Sequence, residues 1–257
     1  MSSEKGEITR YLPYTIYENI QKFLTYRSLE LVAGAQYNTG DSKKTSSSKN
    51  AEFLPEDEFV KNIQYYGYIQ IEAKDAKDKD RHFHKSIPSE WRKKPVHTYI
   101  ILLDQNSVYK STQQFVKLLE RIPGMNSETR DYNIELIVIA REKLSLHVQK
   151  KINTYITNGS VPGAETKFGY RHIADFEYAM FSSDKLTNKF SQHHRILNKS
   201  DEKAILTRLM CTKKDLDKIR KTDPPLVWLG AEIGDIIEIR RFSETTAEEI
   251  TYRVVRG

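Results

Sequence analysis

The stretch that decides the fold of the C-terminal part spans residues 222–255 and reads TDPPLVWLGAEIGDIIEIRRFSETTAEEITYRVV. The two consecutive prolines predict a one-turn helix that begins at Pro224, because proline is well tolerated at the first helical position. Gly230 is the residue expected to end that helix. Asp235–Phe242 and Glu249–Val255 then alternate apolar with polar side chains. This alternation predicts a β-hairpin with one buried face.

Helix signals and one strand signal precede this stretch. Ser200 is a favoured N-cap residue, and the two acidic residues after it suit the first turn of a helix running to about Met210. Thr212 and Asp215 have the spacing of a capping box, which predicts another short helix. Phe176–Phe181 is predicted to be a strand.

The N-terminal part alternates helix and strand. Apolar residues at helical spacing predict an amphipathic helix over residues 12–30, and Pro55 followed by three acids predicts the start of a second helix. Val96–Leu103 and Ile134–Ala140 are almost entirely apolar, as expected for strands covered on both faces. A helix between them predicts a right-handed crossover and parallel pairing. The remaining predicted elements are a strand at Tyr68–Glu72, helices at Ser111–Arg121 and Leu144–Ile156, and a solvated loop at Lys74–Lys85.

Together these elements predict an α+β protein of two domains. Asn158–Gly163 interrupts the pattern with glycine, asparagine and proline, and it is the predicted boundary between residues 1–163 and 164–257. The first domain is expected to be α/β-like, with a mixed sheet and flanking helices. The second is expected to be a small α+β unit that ends in the hairpin. Residues 34–50 are rich in serine, glycine and lysine, which predicts a flexible insertion.

Charge is spread evenly along the chain. Its 257 residues include 41 Lys and Arg against 35 Asp and Glu, a net charge of +6. Residues 1–165 hold 24 basic and 21 acidic side chains, and residues 166–257 hold 17 and 14, so each part contributes +3. An independent nucleic-acid-binding arm would concentrate its positive charge. The distribution therefore favours a contributor to a larger surface.

Several classes of protein are excluded by composition. No apolar run approaches the roughly 18 residues of a transmembrane helix, and the polar N-terminus is not expected to be a signal peptide. The single cysteine, Cys211, excludes an internal disulfide and a cysteine-based zinc site, and it is typical of a reducing compartment. Glycine-rich phosphate loops and a Gly-x-Ser-x-Gly elbow are also absent.

Three groups of residues have part of a reactive site without completing it. Glu72-Ala73-Lys74 follows a predicted strand, as in metal-dependent nucleases, but the matching acid is missing because Asp57 lies at a predicted helix start. Cys211 precedes two lysines that favour a thiolate, yet no histidine is predicted beside it. Surface or structural roles are the simpler interpretation of these residues. Histidine pairs without a predicted third metal ligand are His82 with His84, and His193 with His194.

The C-terminal third resembles the C-terminal domain of the fifth common subunit of eukaryotic RNA polymerases, a family that includes a small archaeal polymerase counterpart. The resemblance rests on Asp-Pro, an aromatic before a glycine, a second glycine four residues on, an alternating isoleucine strand, Ser-Glu-Thr and Tyr-Arg, with no gap. It covers about residues 170–257. The residues of the motif in this chain are His194, Asp223, Pro224, Trp228, Gly230, Gly234, Arg240, Ser243, Glu244, Thr245, Tyr252 and Arg253.

This resemblance implies a non-catalytic subunit of a multisubunit DNA-directed RNA polymerase, with no cofactor of its own. The C-terminal domain would dock on the largest subunit near the small omega-like shared subunit. The N-terminal domain resembles the eukaryotic jaw domain only in layout, and it would lie along downstream double-stranded DNA with sequence-independent phosphate contacts. Lys93 and Lys94 are candidates for such contacts, although a solvated loop is the simpler interpretation.

Departures from the family pattern resemble those expected of a large DNA virus homologue. Pro225 stands where a small aliphatic residue is usual, and Ala247 replaces a frequent glycine of the hairpin turn. The resemblance implies an intracellular protein, placed in the nucleus if cellular and in a viral factory or virion if viral. Two other hypotheses stay open at this point: a metal-dependent nuclease on the first domain, and an interaction module that acts outside a polymerase.

Overall fold

Two β-sheets organise the chain, and helices cover them to different extents. A computed structural model describes residues 12–32, 53–76, 89–104, 112–120, 132–150, 171–187, 192–243 and 247–257. The helices are α1 (Leu12–Tyr26), α2 (Glu56–Tyr66), α3 (Ser89–Arg92), α4 (Thr112–Glu120), α5 (described over 146–150), α6 (Tyr178–Phe181), α7 (Lys199–Arg208) and α8 (Pro224–Leu229). The strands are β1 (Leu29–Leu31), β2 (Tyr68–Asp75), β3 (Val96–Leu103), β4 (Asn133–Ala140), β5 (Arg171–Glu177), β6 (His193–Ile196), β7 (Asp217–Arg220), β8 (Ile236–Ser243) and β9 (Ala247–Arg256).

The first sheet is mixed and has the strand order β1-β2-β3-β4-β5. β2 is antiparallel to both of its neighbours, whereas β3, β4 and β5 run parallel. Every residue of β4 is buried, which confirms the prediction that both faces of this sheet are covered. One face packs against α1, α2 and α6, and the other packs against α4 and α5.

The second sheet is smaller and has the order β6-β8-β9-β7. β8 and β9 form the predicted hairpin, and β7 adds to β9 in parallel. Its own core is a short row of aliphatic side chains. α7 has no fully buried residue, so this sheet is covered much less than the first.

Helix α8 contributes to the apolar clusters of both sheets, and its Leu226 packs in the cluster of the second sheet. Trp228 of α8 is fully buried in the cluster that α1 and α2 form over the first sheet. β5 also pairs with β4, although it lies C-terminal to the predicted boundary. The boundary at residues 158–163 and the insertion at 34–50 lie outside the described residues, so the division into domains stays a prediction.

The predicted α+β class and most predicted elements are confirmed. The predictions borne out include the two apolar strands, their parallel pairing, the helix that begins at Pro224 and the C-terminal hairpin. Pro55 precedes α2, whose first turn carries the three predicted acids. The part of the fifth helix that lies beyond residue 150 falls outside the described residues.

Four local predictions are wrong, each for a local reason. The predicted helix over residues 12–30 ends at Tyr26, because Ser28 adopts a left-handed φ of 50° and the chain turns into β1. Asn198 rather than Ser200 caps α7, since its side chain accepts a hydrogen bond from the Asp201 amide at 2.8 Å. The predicted strand Phe176–Phe181 divides at Glu177, after which α6 begins. The predicted loop Lys74–Lys85 instead begins with the last two residues of β2.

The helix predicted from the capping box is also wrong. The Asp215 carboxylate accepts hydrogen bonds from the Thr212 amide at 2.8 Å and from its hydroxyl at 2.7 Å. These are contacts that a capping box uses, but they close a single turn. The chain then leaves the turn as β7 because residues 217–220 pair with β9.

Candidate functional site

The helix α8 carries the best-buried aromatic residue of the C-terminal motif. Pro224 occupies its first turn, and Gly230 ends it with a left-handed φ of 70°. The Trp228 indole Nε1 donates a hydrogen bond to the main-chain oxygen of Met180 at 3.0 Å. Its ring stacks on Phe181 with centroids 5.8 Å apart and meets Phe23 edge-on at 6.0 Å. The motif aromatic is therefore an anchor between the two sheets.

Gly230 also makes space for a buried ion pair. A Cβ atom at this position would lie 2.5 Å from the Nε of Arg27, a distance at which atoms clash. The Arg27 guanidinium donates to the Glu135 carboxylate at 2.9 Å, and each side chain is only 6% exposed. Thr98 donates to the other carboxylate oxygen at 3.1 Å. This close approach requires glycine at position 230, a reason that the sequence pattern alone did not reveal.

The second motif glycine has a different reason. Gly234 has a φ of 95°, and a Cβ atom there would meet nothing within 4 Å. Its amide donates to the Val255 oxygen at 3.0 Å, which starts the hairpin at β8. Gly234 is therefore required only by backbone conformation, whereas Gly230 is required by conformation and by contact.

A cleft of about 620 Å³ opens beside Gly230, between the edge of the first sheet and the α8 region. Its walls mix apolar side chains with both signs of charge. Lys221 donates to Glu232 at 2.6 Å, so cation and anion at this wall are paired. The side chains that line the cleft include Arg27, Glu135, Asp175, Phe176, Arg220, Lys221, Val227 and Glu232.

Charged side chains on the second sheet are paired with each other, both within a strand and across strands. Glu238 accepts hydrogen bonds from Arg195 at 3.1 Å and from Arg240 at 2.8 Å. Burial acts to raise the pKa of Glu238, but the hydrogen bonds from these two guanidinium groups outweigh burial and hold the pKa below its ordinary value. Farther along the hairpin, the Arg241 guanidinium donates two hydrogen bonds to the Glu249 carboxylate, at 2.9 and 2.7 Å. The guanidinium of the motif residue Arg240 is thus already hydrogen-bonded within the protein.

Two further motif residues, Tyr252 and His194, make local contacts. The Tyr252 hydroxyl accepts a hydrogen bond from Arg208 at 3.1 Å, and His194 Nδ1 lies 2.7 Å from the main-chain oxygen of Gln192. Arg253 is half-buried on the face of β9 that carries Val255. Glu244 and Thr245 lie outside the described residues. Ala247 adopts a left-handed φ of 62°, which explains why a glycine is frequent at this turn.

The candidate nuclease carboxylate, Glu72, is held by side chains of the neighbouring strand β3. The Glu72 carboxylate contacts His97 Nδ1 and accepts from the Tyr99 hydroxyl, each at 3.2 Å. The ring of His97 stacks on Tyr132 with centroids 4.2 Å apart. Asp57 lies in the first turn of α2, as expected. Across the described ranges, no group of three or more His, Cys, Asp or Glu side chains is placed to hold a metal ion.

The other candidates from the sequence do not converge on a site. Cys211 is a partly exposed free thiol just after α7. His193 is exposed at the start of β6, while His82 and His84 lie outside the described residues. Lys93 is exposed and Lys94 half-exposed in the short turn between α3 and β3. In the part of the chain that the structure describes, no helix has the length and apolar composition needed to cross a membrane.

Comparison with known proteins matches the same region that carries the motif. A family model described as "RNA polymerase Rpb5, C-terminal domain" matches residues 184–255. The chain is 36% identical over 72 residues to the DNA-directed RNA polymerase subunit Rpo5 of Methanococcoides burtonii, a match that covers 28% of this chain and 92% of that protein. The chain belongs to the Rpb5 family.

Two other members of the Rpb5 family show how widely the match extends. A Pyrococcus horikoshii protein, also named DNA-directed RNA polymerase subunit Rpo5, is 47% identical over 62 residues, which are 24% of this chain and 76% of that protein. The DNA-directed RNA polymerase RPB5 homolog of African swine fever virus is 36% identical over 62 residues, 24% of this chain and 30% of that protein. The matched region contains α7, α8 and nearly all of the second sheet, whereas all five strands of the first sheet lie outside it.

Proposed function

We propose that this chain is a non-catalytic subunit of a multisubunit DNA-directed RNA polymerase. The observation that carries the proposal is the family match over residues 184–255, which spans nearly the whole of the second sheet. Relatives matched over most of their length are named as subunits of that enzyme. The chain would act by position, while other subunits carry the metal ions and perform nucleotide addition.

The two parts of the chain would have different tasks in the polymerase. The C-terminal domain, residues 164–257, would dock on the largest subunit next to the small omega-like shared subunit. The N-terminal domain, residues 1–163, would form part of the jaw beside downstream DNA. Support for a fixed arrangement comes from Trp228, which is buried between α8 and the first sheet. A jaw joined in this way would move with the domain that anchors it.

Contact with DNA would be made to phosphates and would not depend on sequence. The turn between α3 and β3 supports this proposal because Lys93 is exposed there, next to Lys94. Replacement of both lysines by glutamate should weaken retention of downstream duplex by the assembled polymerase, and the loss should be largest at low salt. Equal retention by the variant enzyme at every salt concentration would exclude these lysines as contacts.

Purification of the tagged full-length chain from the cells that produce it tests the proposed function. Co-elution with the two largest polymerase subunits, in stoichiometric amounts and after a high-salt wash, is the expected result. A chain that elutes alone would overturn the proposal. Fractionation of the same cells tests location, since the proposal places the protein in the nucleus if it is cellular and in a viral factory or virion if it is viral.

A further inference from the structure

The cleft beside Gly230 has an apolar floor on the first sheet. Ile137 of β4 and Ala174 of β5 are direct cross-strand partners, and Phe176 lies two residues beyond Ala174 on the same face. Val227 of α8 also lines the cleft. Sites for small molecules are concave, mostly apolar and typically about 300–1,000 Å³ in volume. The cleft, at about 620 Å³, therefore has the size and the lining of such a site.

Two of the cations that line the cleft already have counter-ions within the protein. The Arg27 guanidinium donates to Glu135 at 2.9 Å, and the Lys221 ammonium donates to Glu232 at 2.6 Å. Each pair sums to zero charge. Neither pair therefore requires a charged group from a ligand.

The third acidic residue of the cleft, Asp175, directs its carboxylate to the other face of the first sheet. Its Oδ2 accepts hydrogen bonds from the Leu144 amide at 3.3 Å and from the Gln149 side chain at 3.0 Å. Leu144 belongs to the apolar cluster that α4 and α5 form on that face. Consecutive residues of a strand point to opposite faces, so Ala174 and Phe176 face the cleft while the Asp175 carboxylate is held away from it.

Arg220, the last residue of β7, provides the remaining charge of the cleft. Its side chain is exposed and lines the cleft. Among the side chains that the structure describes, none forms an ion pair or a hydrogen bond with its guanidinium. A guanidinium presents a planar fork of donors that matches a carboxylate or another oxyanion. The cleft therefore combines an apolar floor with one cation that has no counter-ion in the described part of the chain.

We propose that this cleft binds a small organic anion, whose apolar body lies on Ala174 and Phe176 and whose charged group meets Arg220. The floor belongs to the first sheet and Arg220 to the second, so the bound ligand would contact both sheets. It would then stabilise the arrangement of the two sheets that forms the cleft. This inference goes beyond the proposed function and does not depend on it, because the chain itself provides every residue of the cleft.

The experiment uses anilinonaphthalene sulfonate, a fluorescent aromatic anion, with the purified full-length chain. The wild-type chain should bind the probe at a single site. Arg220→Gln should bind it at least about tenfold more weakly, because hydrogen bonds to charged groups are among the strong ones. Lys218→Gln removes a positive charge from an exposed position of the same strand that does not line the cleft, and it should bind as the wild-type chain does. Ala174→Phe fills the floor without a change of charge and should prevent binding.

A competition experiment on the wild-type chain tests the charge without any variant. Octanoate and octanamide have the same apolar chain, but only octanoate is an anion. Octanoate should displace the probe at a concentration at least about tenfold lower than octanamide, and it should raise the unfolding temperature of the wild-type chain and of Lys218→Gln but not that of Arg220→Gln.

Three results would overturn the inference. Equal competition by octanoate and octanamide would show that the site does not recognise an anion. Equal binding of the probe by the wild-type chain, Arg220→Gln and Ala174→Phe would place the probe on another apolar surface. Loss of binding in Ala174→Phe alone would show an apolar site in which Arg220 takes no part.

Discussion

Each sheet carries an ion pair between arginine and glutamate, and the two pairs differ in how far they are buried. The first sheet is covered on both faces and encloses one ion pair, Arg27 with Glu135, at 6% exposure. The second sheet is thinly covered and carries an exposed ion pair on its hairpin, Arg241 with Glu249. Removal of a charge from a buried pair leaves its partner uncompensated, whereas water replaces a lost surface partner. The fold should therefore depend strongly on the pair of Arg27 with Glu135 and only weakly on the pair of Arg241 with Glu249.

Glu135→Gln tests this comparison with the largest expected effect. The substitution keeps the size of the side chain but leaves the Arg27 charge buried without its counter-ion. We expect the free energy of unfolding to fall by about 3 kcal/mol. Urea denaturation followed by circular dichroism measures this change. The matched variant Glu249→Gln removes a surface partner and should remain close to the wild-type protein, and equal losses in both variants would contradict the comparison.

Gly230→Ala and Gly234→Ala form a second matched pair. Both positions have a positive φ, so each substitution should cost about 1 kcal/mol for backbone strain alone. At Gly230 the new methyl group also meets Arg27, and the added crowding should bring the loss to about 3 kcal/mol. Thermal unfolding of the two variants measures the difference. Equal losses would show that Arg27 can move aside without cost, and the close contact between Gly230 and Arg27 would then not explain why glycine is required at position 230.

Trp228→Phe tests the junction itself. Phenylalanine keeps an aromatic ring against Phe181 but loses the hydrogen bond to the Met180 oxygen and part of the buried area. We expect a loss of about 2 kcal/mol, since a partly buried carbonyl without its donor and a smaller side chain both destabilise. The variant retains Trp91 as its remaining tryptophan, so the difference between the emission spectra of the wild-type protein and the variant provides a second measurement, of the surroundings of Trp228. If the loss matches that of a surface substitution, the indole is not an anchor.

Sequence patterns predicted the first sheet and the hairpin better than the contacts between them. The runs Val96–Leu103 and Ile134–Ala140 carry enough apolar residues to determine strand, burial and parallel pairing. Local hydrogen bonds determine the turns that were predicted wrongly. At the start of α7, for example, Asn198 and Ser200 are both good N-cap residues, and the hydrogen bond of Asn198 decides between them. The motif identified a glycine at position 230 but not the contact that requires it. Arg27, which lies against Gly230, is 203 positions away in the sequence, and its partner Glu135 belongs to a third segment.

Acid titration provides the next smaller test. The pKa of Glu238 is lowered from its ordinary 4.5, so its ion pairs stabilise the folded state above that pH and are lost as pH falls through the lower folded value. Glu238→Gln has no charge to titrate. The difference in stability between the two proteins should be full at neutral pH and should close below pH 4.5. Arg195→Gln should lose part of this acid-dependent component, because its guanidinium and that of Arg240 both lower the pKa of Glu238.

The smallest expected effect belongs to the pair Arg241 and Glu249, and it tests the second half of the comparison. The hydrogen bonds from Arg241 lower the pKa of Glu249, and both side chains of the pair are close to half exposed. A double-mutant cycle with alanine at each position should give a weak coupling that vanishes in about 1 M salt, where the Debye length falls to about 3 Å. A coupling that persists at high salt would mean that this pair is shielded from water. The exposed pair would then resemble the buried pair of Arg27 with Glu135 in its contribution to stability.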